Sequence, residues 1–447
     1  MTTPARTTLV LAAVAALLAA SGRGRVAQTA EAGADLHAAL LQQPRVNVIV
    51  KLREHDIPAS SLSRRIEAIQ STQEGVLAGL EADDFRPTYR WSAISGLAGE
   101  LSESGLRKLL RDPDVERIDL DVSGTAGLAE SVALVRGDEV HDLGVTGRGV
   151  VVAVLDTGID SNHPDLKDSI VAQQCFCTNA AGAGCCPNGA TQQSGSGAAK
   201  DDQGHGTNVS GIIAGRGRVA SKGVAPGAKI VAVKVLDSTG AFADSAQVIS
   251  GFDYIITQRP EVKVVNMSLG TSLLFSGTCD NAAAFTGAFA QAIGTLKARG
   301  TSVFASSLNN GSASQTGLPA CIAAAISVGA VYDANIGTIS FGCTDPTTKP
   351  DQVCCFSNSS SAVDLLAPGA AISAAGRGGG ISTFLGTSQA SPHAAGAAAL
   401  LLEARPSLTV DQIESALKST GVPITDKKSG LRIPRIDVRA ALDAARR

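Results

Sequence analysis

The stretch GVVVAVLDTGID, residues 149–160, decides the fold. Residues 150–154 form an unbroken run of valines and one alanine between a glycine and Leu155. No polar residue alternates with them, so the run reads as a strand covered on both faces, as in a parallel sheet. Asp156 stands where that strand gives way to Thr157 and Gly158. The carboxyl ends of parallel strands are where open α/β sheets assemble their sites. The pattern recurs downstream. AKIVAVKVL (228–236), KVVNMSLG (263–270), TSVFASS (301–307) and AAISVGA (324–330) read as strands. SAQVISGFDYIITQ (245–258), AFTGAFAQAIGTLKARG (284–300) and the Ala-rich run after Ser388 read as helices. This alternation predicts an α/β fold with a doubly wound, mostly parallel sheet. The tail segments 407–421 and 431–447 read as closing helices.

Two further segments carry polar residues in similar settings. In DDQGHGTNVSGIIAG (201–215), His205 lies between two glycines, which let other backbone approach the imidazole closely. In GTSQASPH (386–393), Ser388 stands at the mouth of a helix. There, free backbone N–H groups and the helix dipole stabilise a developing oxyanion. Singly, each residue is ordinary: a turn-forming Asp, a loop His, an N-capping Ser. Together, in the order Asp, His, Ser, they suit a nucleophilic triad.

Through LDTGID, GHGTNVSG and GTSQASPHAAG the chain resembles the subtilisin-like serine proteases (subtilases), from about residue 140 to its end. The resemblance implies Ser388 as nucleophile, His205 as general base and then acid, and Asp156 as the group orienting the imidazole. It implies an oxyanion-stabilising Asn in TSVFASSLNNG (301–311), where Asn309 is the match. Leu308 stands where the family usually has Gly, and Asn310 leaves a one-residue shift open. Gln389 stands where the family commonly has Met. Ser268, Leu269 and Gly270 would line one side of a substrate cleft, with residues 239–242, Phe242 included, opposite. Main-chain pairing there implies a broad endopeptidase. The pocket for the residue before the cut is set partly by GSASQTGLPAC (311–321), and its depth stays open. Catalysis would need no cofactor. A family calcium site is implied by Asp165 and Glu130. However, its loop RGRVASK (216–222) offers two arginines and a lysine where oxygen donors are wanted, so no metal is assigned.

Residues 46–128 read as strand, helix, strand pair, helix and strand, a ferredoxin-like α+β order that resembles the inhibitory propeptide of subtilases. The strand pair is placed in RWSAISGLAGEL (90–101), and the second helix is capped by Ser102 or Ser104. The tail of this segment would occupy the cleft and be cut between about Gly124 and Ala129, leaving a catalytic domain at 129–447. Residues 1–21 carry Arg6 and then an apolar core too short to span a bilayer, the pattern of a signal peptide. Residues 22–45 read as a flexible linker.

All nine cysteines lie after residue 170, in loop clusters that suit disulfides in an exported chain. Zinc is the rival reading, without histidines beside the clusters. Cys279–Cys321 is the one pair named, and the odd count leaves a thiol free or intermolecular. The net charge of −3, without a basic stripe, argues against nucleic acid as a partner. The expectation is a secreted, monomeric serine endopeptidase, made as a self-processed zymogen, acting on proteins and peptides and inhibited by its own propeptide. Two alternatives stand beside it: a protease dedicated to one substrate in a toxin or processing role, and a non-catalytic binding protein on the same scaffold.

Overall fold

The computed structural model describes residues 30–53, 62–91, 95–120 and 128–446. The signal segment 1–21 and most of the expected cleavage region lie outside them. The chain divides into two compact units, Met1–Gly124 and Thr125–Arg447.

In the first unit, strand Val46–Leu52 alternates strictly between buried and exposed residues, so one face meets the core. It pairs antiparallel with Gly96–Leu101 on one side and Val115–Leu120 on the other, and Phe85–Arg90 completes the far edge. With helices Leu62–Ala78 and Glu103–Leu109 between strands, this is the ferredoxin-like order. Ser102 caps the short helix by accepting from Gly105 N at 3.2 Å. Two expectations are corrected. The strand pair starts earlier, since FRPTYR rather than the Trp91 region supplies its first member. The stretch assigned to a linker carries a strand, Glu31–Ala32, parallel to Val115–Leu120, and a helix, Ala34–Gln42. Leu36 anchors that helix, fully buried among Val48, Val50 and Ile118.

The second unit is built on a ten-stranded sheet. From one edge its order is Val422–Thr425, Arg432–Arg435, Leu365–Pro368, Ile326–Val331, Ser302–Ser306, Val262–Met267, Val151–Asp156, Lys229–Lys234, Ile170–Phe176 and Gln192–Ser194. Only the two edge strands run antiparallel to their neighbours. Val152, Ala153, Val154 and Leu155 are buried on both faces, as the all-apolar run requires. Helices His205–Ala214 and Thr387–Ala404 cover one face. Ser245–Gln258 and Ala284–Ala298 cover the other. The order turns at Val151–Asp156, the first strand in sequence and central in space. That is the switch point at which doubly wound sheets open a crevice at their carboxyl ends.

Segment 431–447 is half strand and half helix: Arg432–Arg435 joins the sheet and only Val438–Ala445 is helical. The Cys-rich stretch contains sheet strands Ile170–Phe176 and Gln192–Ser194, clipped by nested disulfides Cys175–Cys186 and Cys177–Cys185. Cys279–Cys321 forms as expected, Cys343 pairs with Cys355, and the odd thiol is the buried Cys354.

Candidate active site

Asp156 ends the central strand and is fully buried. Its Oδ1 accepts from Thr157 N at 2.7 Å and from His205 Nδ1 at 2.8 Å. A carboxylate only accepts, so Nδ1 carries the imidazole proton and Nε2 is left as the basic nitrogen. Burial disfavours the imidazolium, but the charge and hydrogen bond of Asp156, with the Asp201 charge behind them, outweigh it. His205 therefore titrates above its ordinary value. His205 opens helix His205–Ala214. Its ring meets Phe384 edge to face, 5.6 Å between centroids. Gly206 has no room for a side chain: a Cβ would run into Gly158 O and stand 3.1 Å from Asp156 Cβ. That absence lets the helix start reach the strand end.

Ser388 is the second residue of helix Thr387–Ala404 and lines the same cleft as His205. Its hydroxyl donates to Ser268 O at 3.3 Å rather than to His205. Ser268 Oγ donates back to Ser388 O at 2.6 Å. Catalytic hydrogen bonds in a substrate-free site are often unformed in this way. Asn309 Oδ1 accepts from both Thr387 N, at 2.9 Å, and Thr387 Oγ1, at 3.0 Å. Two donors on the oxygen fix the amide, leaving Nδ2 as the group free to donate beside Ser388. Gly386, at φ 151°, lies within reach of it: a Cβ there would stand 3.1 Å from Asn309 Nδ2. Asn310 turns away, its Oδ1 accepting from Asn358 Nδ2 at 3.1 Å. Leu308 adopts φ 71°, the left-handed backbone for which a glycine is suited. For a leucine that conformation costs about 1–2 kcal/mol.

Ser268, Leu269 and Gly270 form one wall of a cleft of about 640 Å³, with Phe242 and its neighbours on the other. All four expected substrate-side residues thus border the space that holds His205 and Ser388.

Several residues under the site are joined by contacts that the sequence does not mark. Asp201, almost wholly buried, accepts five hydrogen bonds. Its Oδ1 takes Thr157 Oγ1 (2.9 Å), Gln203 N (3.0 Å) and Gly204 N (2.8 Å). Its Oδ2 takes Thr207 N (3.0 Å) and Thr207 Oγ1 (2.6 Å). Burial raises its pKa, but those hydrogen bonds outweigh burial and hold it below the usual carboxylate value. Asp201 therefore ties the turn after Asp156 to the start of the His205 helix. Lys234 pairs in register with Asp156. It is fully buried and donates to Thr157 O (2.9 Å), Leu236 O (2.7 Å) and Asp202 Oδ1 (2.8 Å). Gln389 Nε2 approaches Asn208 Oδ1 at 3.4 Å, linking the residue after Ser388 to the His205 helix. Asp201 was visible as half of an Asp pair near His205, whereas nothing local marks Gln389 and Asn208 as partners.

The cation that the family resemblance would place at Asp165, doubted above because of the loop 216–222, finds no fitting donor set. Asp165 is fully buried. Its carboxylate accepts the backbone N–H groups of Arg218, Val219 and Ala220, the last at 2.9 Å. Arg218 also pairs with Asp168 at 2.7 Å and donates to Pro164 O at 2.9 Å. These groups deliver positive charge, where calcium needs oxygen ligands. Among the described residues, no three His, Cys, Asp or Glu side chains are grouped to hold a metal.

Residues 147–435 match the model of the subtilase family, Peptidase S8. The chain belongs to the subtilase family. Residues 47–124 match the peptidase inhibitor I9 model, the family's propeptide domain. The subtilase is 33% identical to subtilisin E of Bacillus subtilis over 334 residues, 73% of this chain and 75% of that one. It is 31% identical to an alkaline protease of Alkalihalobacillus alcalophilus, over 81% and 84%. Among solved structures, proteases from Pseudoalteromonas arctica superpose with a TM-score of 0.54 at 28% identity, covering 72% of this chain and 95% of that one. The subtilase is thus a serine endopeptidase made as a zymogen with its own inhibitory propeptide. No helix among its described residues is long and apolar enough to cross a membrane.

Proposed function

We propose that this subtilase hydrolyses peptide bonds through Ser388, His205 and Asp156, with Asn309 as oxyanion donor. His205 Nε2 takes the Ser388 hydroxyl proton as Oγ attacks the scissile carbonyl. The carbonyl oxygen, now negative, receives Asn309 Nδ2–H and the Ser388 backbone N–H. His205 then protonates the leaving amine, and an acyl-enzyme remains on Ser388. Water, deprotonated by the same imidazole, releases the acid product. Beyond these protein groups the cycle consumes only water. The observation that carries the reading is the Asp156–His205 hydrogen bond at 2.8 Å in the cleft that Ser388 lines. It also argues against a non-catalytic binding role, because a scaffold used only for binding has no need to aim a buried carboxylate at an imidazole. The substrate strand pairs along Ser268, Leu269 and Gly270, with Phe242 on the facing wall.

Residues 1–21 serve as a signal peptide, the inhibitory segment ends between about Gly124 and Ala129, and the remainder is the secreted, monomeric catalytic domain. Disulfides support export. The test is titration of the purified mature protein with an organophosphate, followed by N-terminal sequencing of the labelled chain. One equivalent on Ser388, on a chain starting between about residues 125 and 130, is expected. Label on another serine, or none, overturns the reading.

A further inference from the structure

We propose that Leu308 occupies the subsite for the substrate side chain immediately before the cut, so that this subtilase cleaves after small residues. The inference rests on the triad reading above and names the substrate class of that same site. Leu308 directly precedes Asn309 and has a left-handed backbone at φ 71°, and its side chain lies between Gly270, which lines the cleft, and Gly317. A Cβ on Gly270 would lie 2.6 Å from Leu308 Cδ2, and a Cβ on Gly317 would collide with Leu308 Cδ1. One leucine therefore fills the slot that two facing glycines leave open.

The walls of that slot are tied together. Strand Leu274–Phe275 pairs antiparallel with Thr316–Gly317, and Thr271 N donates to Leu318 O at 3.0 Å. Cys279–Cys321 joins the same two segments covalently. Thr316 Oγ1 donates to Ser307 O at 2.8 Å, and Asn358 N donates to Leu308 O at 2.9 Å, which pins the backbone that carries the leucine.

Attack by Ser388 with the carbonyl oxygen on Asn309 Nδ2 fixes where the scissile residue sits. Its backbone runs beside residues 268–270, and side chains of an extended chain alternate in direction. The residue bearing the scissile carbonyl, flanked by Gly270 and the Leu308–Asn309 segment, points into the slot toward Gly317. A methyl or hydroxymethyl group fits against the leucine, whereas an aromatic ring needs the volume the leucine holds. Recognition then falls to other substrate residues, in the open cleft beside Leu269, Leu273 and Phe285.

The experiment is kcat/KM for the mature protease on peptides that differ only before the cut: Gly, Ala, Ser, Leu and Phe. Ala and Ser are expected to exceed Phe by about 100-fold or more, since even one methylene in a tight pocket is worth about 10–200-fold. Leu308→Gly suits the backbone and empties the slot. It should raise the Phe-to-Ala ratio by about 100-fold, with Leu308→Ala intermediate. Wild-type cleavage after Phe as efficient as after Ala overturns the role of Leu308 while leaving the triad reading intact. An unchanged ratio in an active Leu308→Gly variant does the same. Failure to cleave any peptide, with no organophosphate on Ser388, overturns the triad reading and this inference with it.

Discussion

At the scale of single residues, the two adjacent asparagines show what local sequence leaves undecided. Asn309 and Asn310 are chemically identical, and only the turn they sit in separates them: one lies against Thr387, the other is held by Asn358. Asn309→Ala is expected to lower kcat by about 10²–10³ with little change in KM, because the donor proposed there acts mainly on the transition-state oxyanion. Steady-state kinetics on one good peptide checks it. In the proposed mechanism His205 must be neutral to act as base, and its pKa is raised. Activity should therefore be full at alkaline pH and fall as pH drops through a value above 6.5. Asp201 contributes to that raised value through its charge and to geometry through its five hydrogen bonds. Asp201→Asn should move the acidic limb of the kcat/KM profile to lower pH and also reduce kcat. A reduced kcat with an unmoved limb would leave Asp201 a purely structural role. Asp156, His205 and Ser388 were legible as a set, through their order and the long motifs LDTGID, GHGTNVSG and GTSQASPHAAG that carry the family resemblance, although each is ordinary alone. Gln389 and Asn208 were not, since a buried amide pair forms only when two helices from distant sequence are packed together.

At the scale of elements, His393 ties the Ser388 helix to the start of the second unit. Its Nδ1 donates to Gln389 O at 2.7 Å, which leaves Nε2 to accept from Ser131 Oγ at 2.9 Å. Burial depresses its pKa to about 4. The unfolded chain, titrating near 6.5, binds the proton more readily between those values. Stability from this group is thus present above pH 6.5 and lost as pH falls toward 4, by about 3 kcal/mol in all. Denaturant unfolding of His393→Asn against wild type across that window should show a flatter pH dependence for the variant. The loop at 216–222 makes a second element-scale case. Its backbone N–H groups cover Asp165 in place of a cation, so Asp165→Ala should lower Tm by several degrees. Chelator or added calcium should leave the wild-type Tm unchanged. A sharp fall in Tm on chelation would show that a metal is held after all. The arginines that argued against calcium were legible in the sequence, but not that the same loop would fold back and supply the replacement donors.

At the scale of the whole molecule, the sheet is parallel and its strands are far apart in sequence, which makes folding slow and a separate folding aid useful. An inhibitor-type domain precedes the catalytic one. Ser388→Ala, expressed in a protease-deficient host, should accumulate as full precursor with residues 46–124 still attached. Normal-length mature protein from that variant would place the cutting in another enzyme. The sequence by itself determined the parallel α/β class, the zymogen order and the triad candidates. The first rests on apolar runs and the alternation of strand with helix, and the other two on local motifs and element order that carry the family resemblance. It missed the edge strand Val422–Thr425 and its neighbour Arg432–Arg435, the sheet strands within the Cys-rich stretch, and the helix Ala34–Gln42. Those segments are short or weakly patterned, and they become regular through pairing or packing with distant partners. Tertiary structure alone decided which asparagine lies against Thr387, what neutralises Asp165, and that Leu308 lies between Gly270 and Gly317. Each of these depends on atoms brought together from separate loops, and no local spacing encodes such distances.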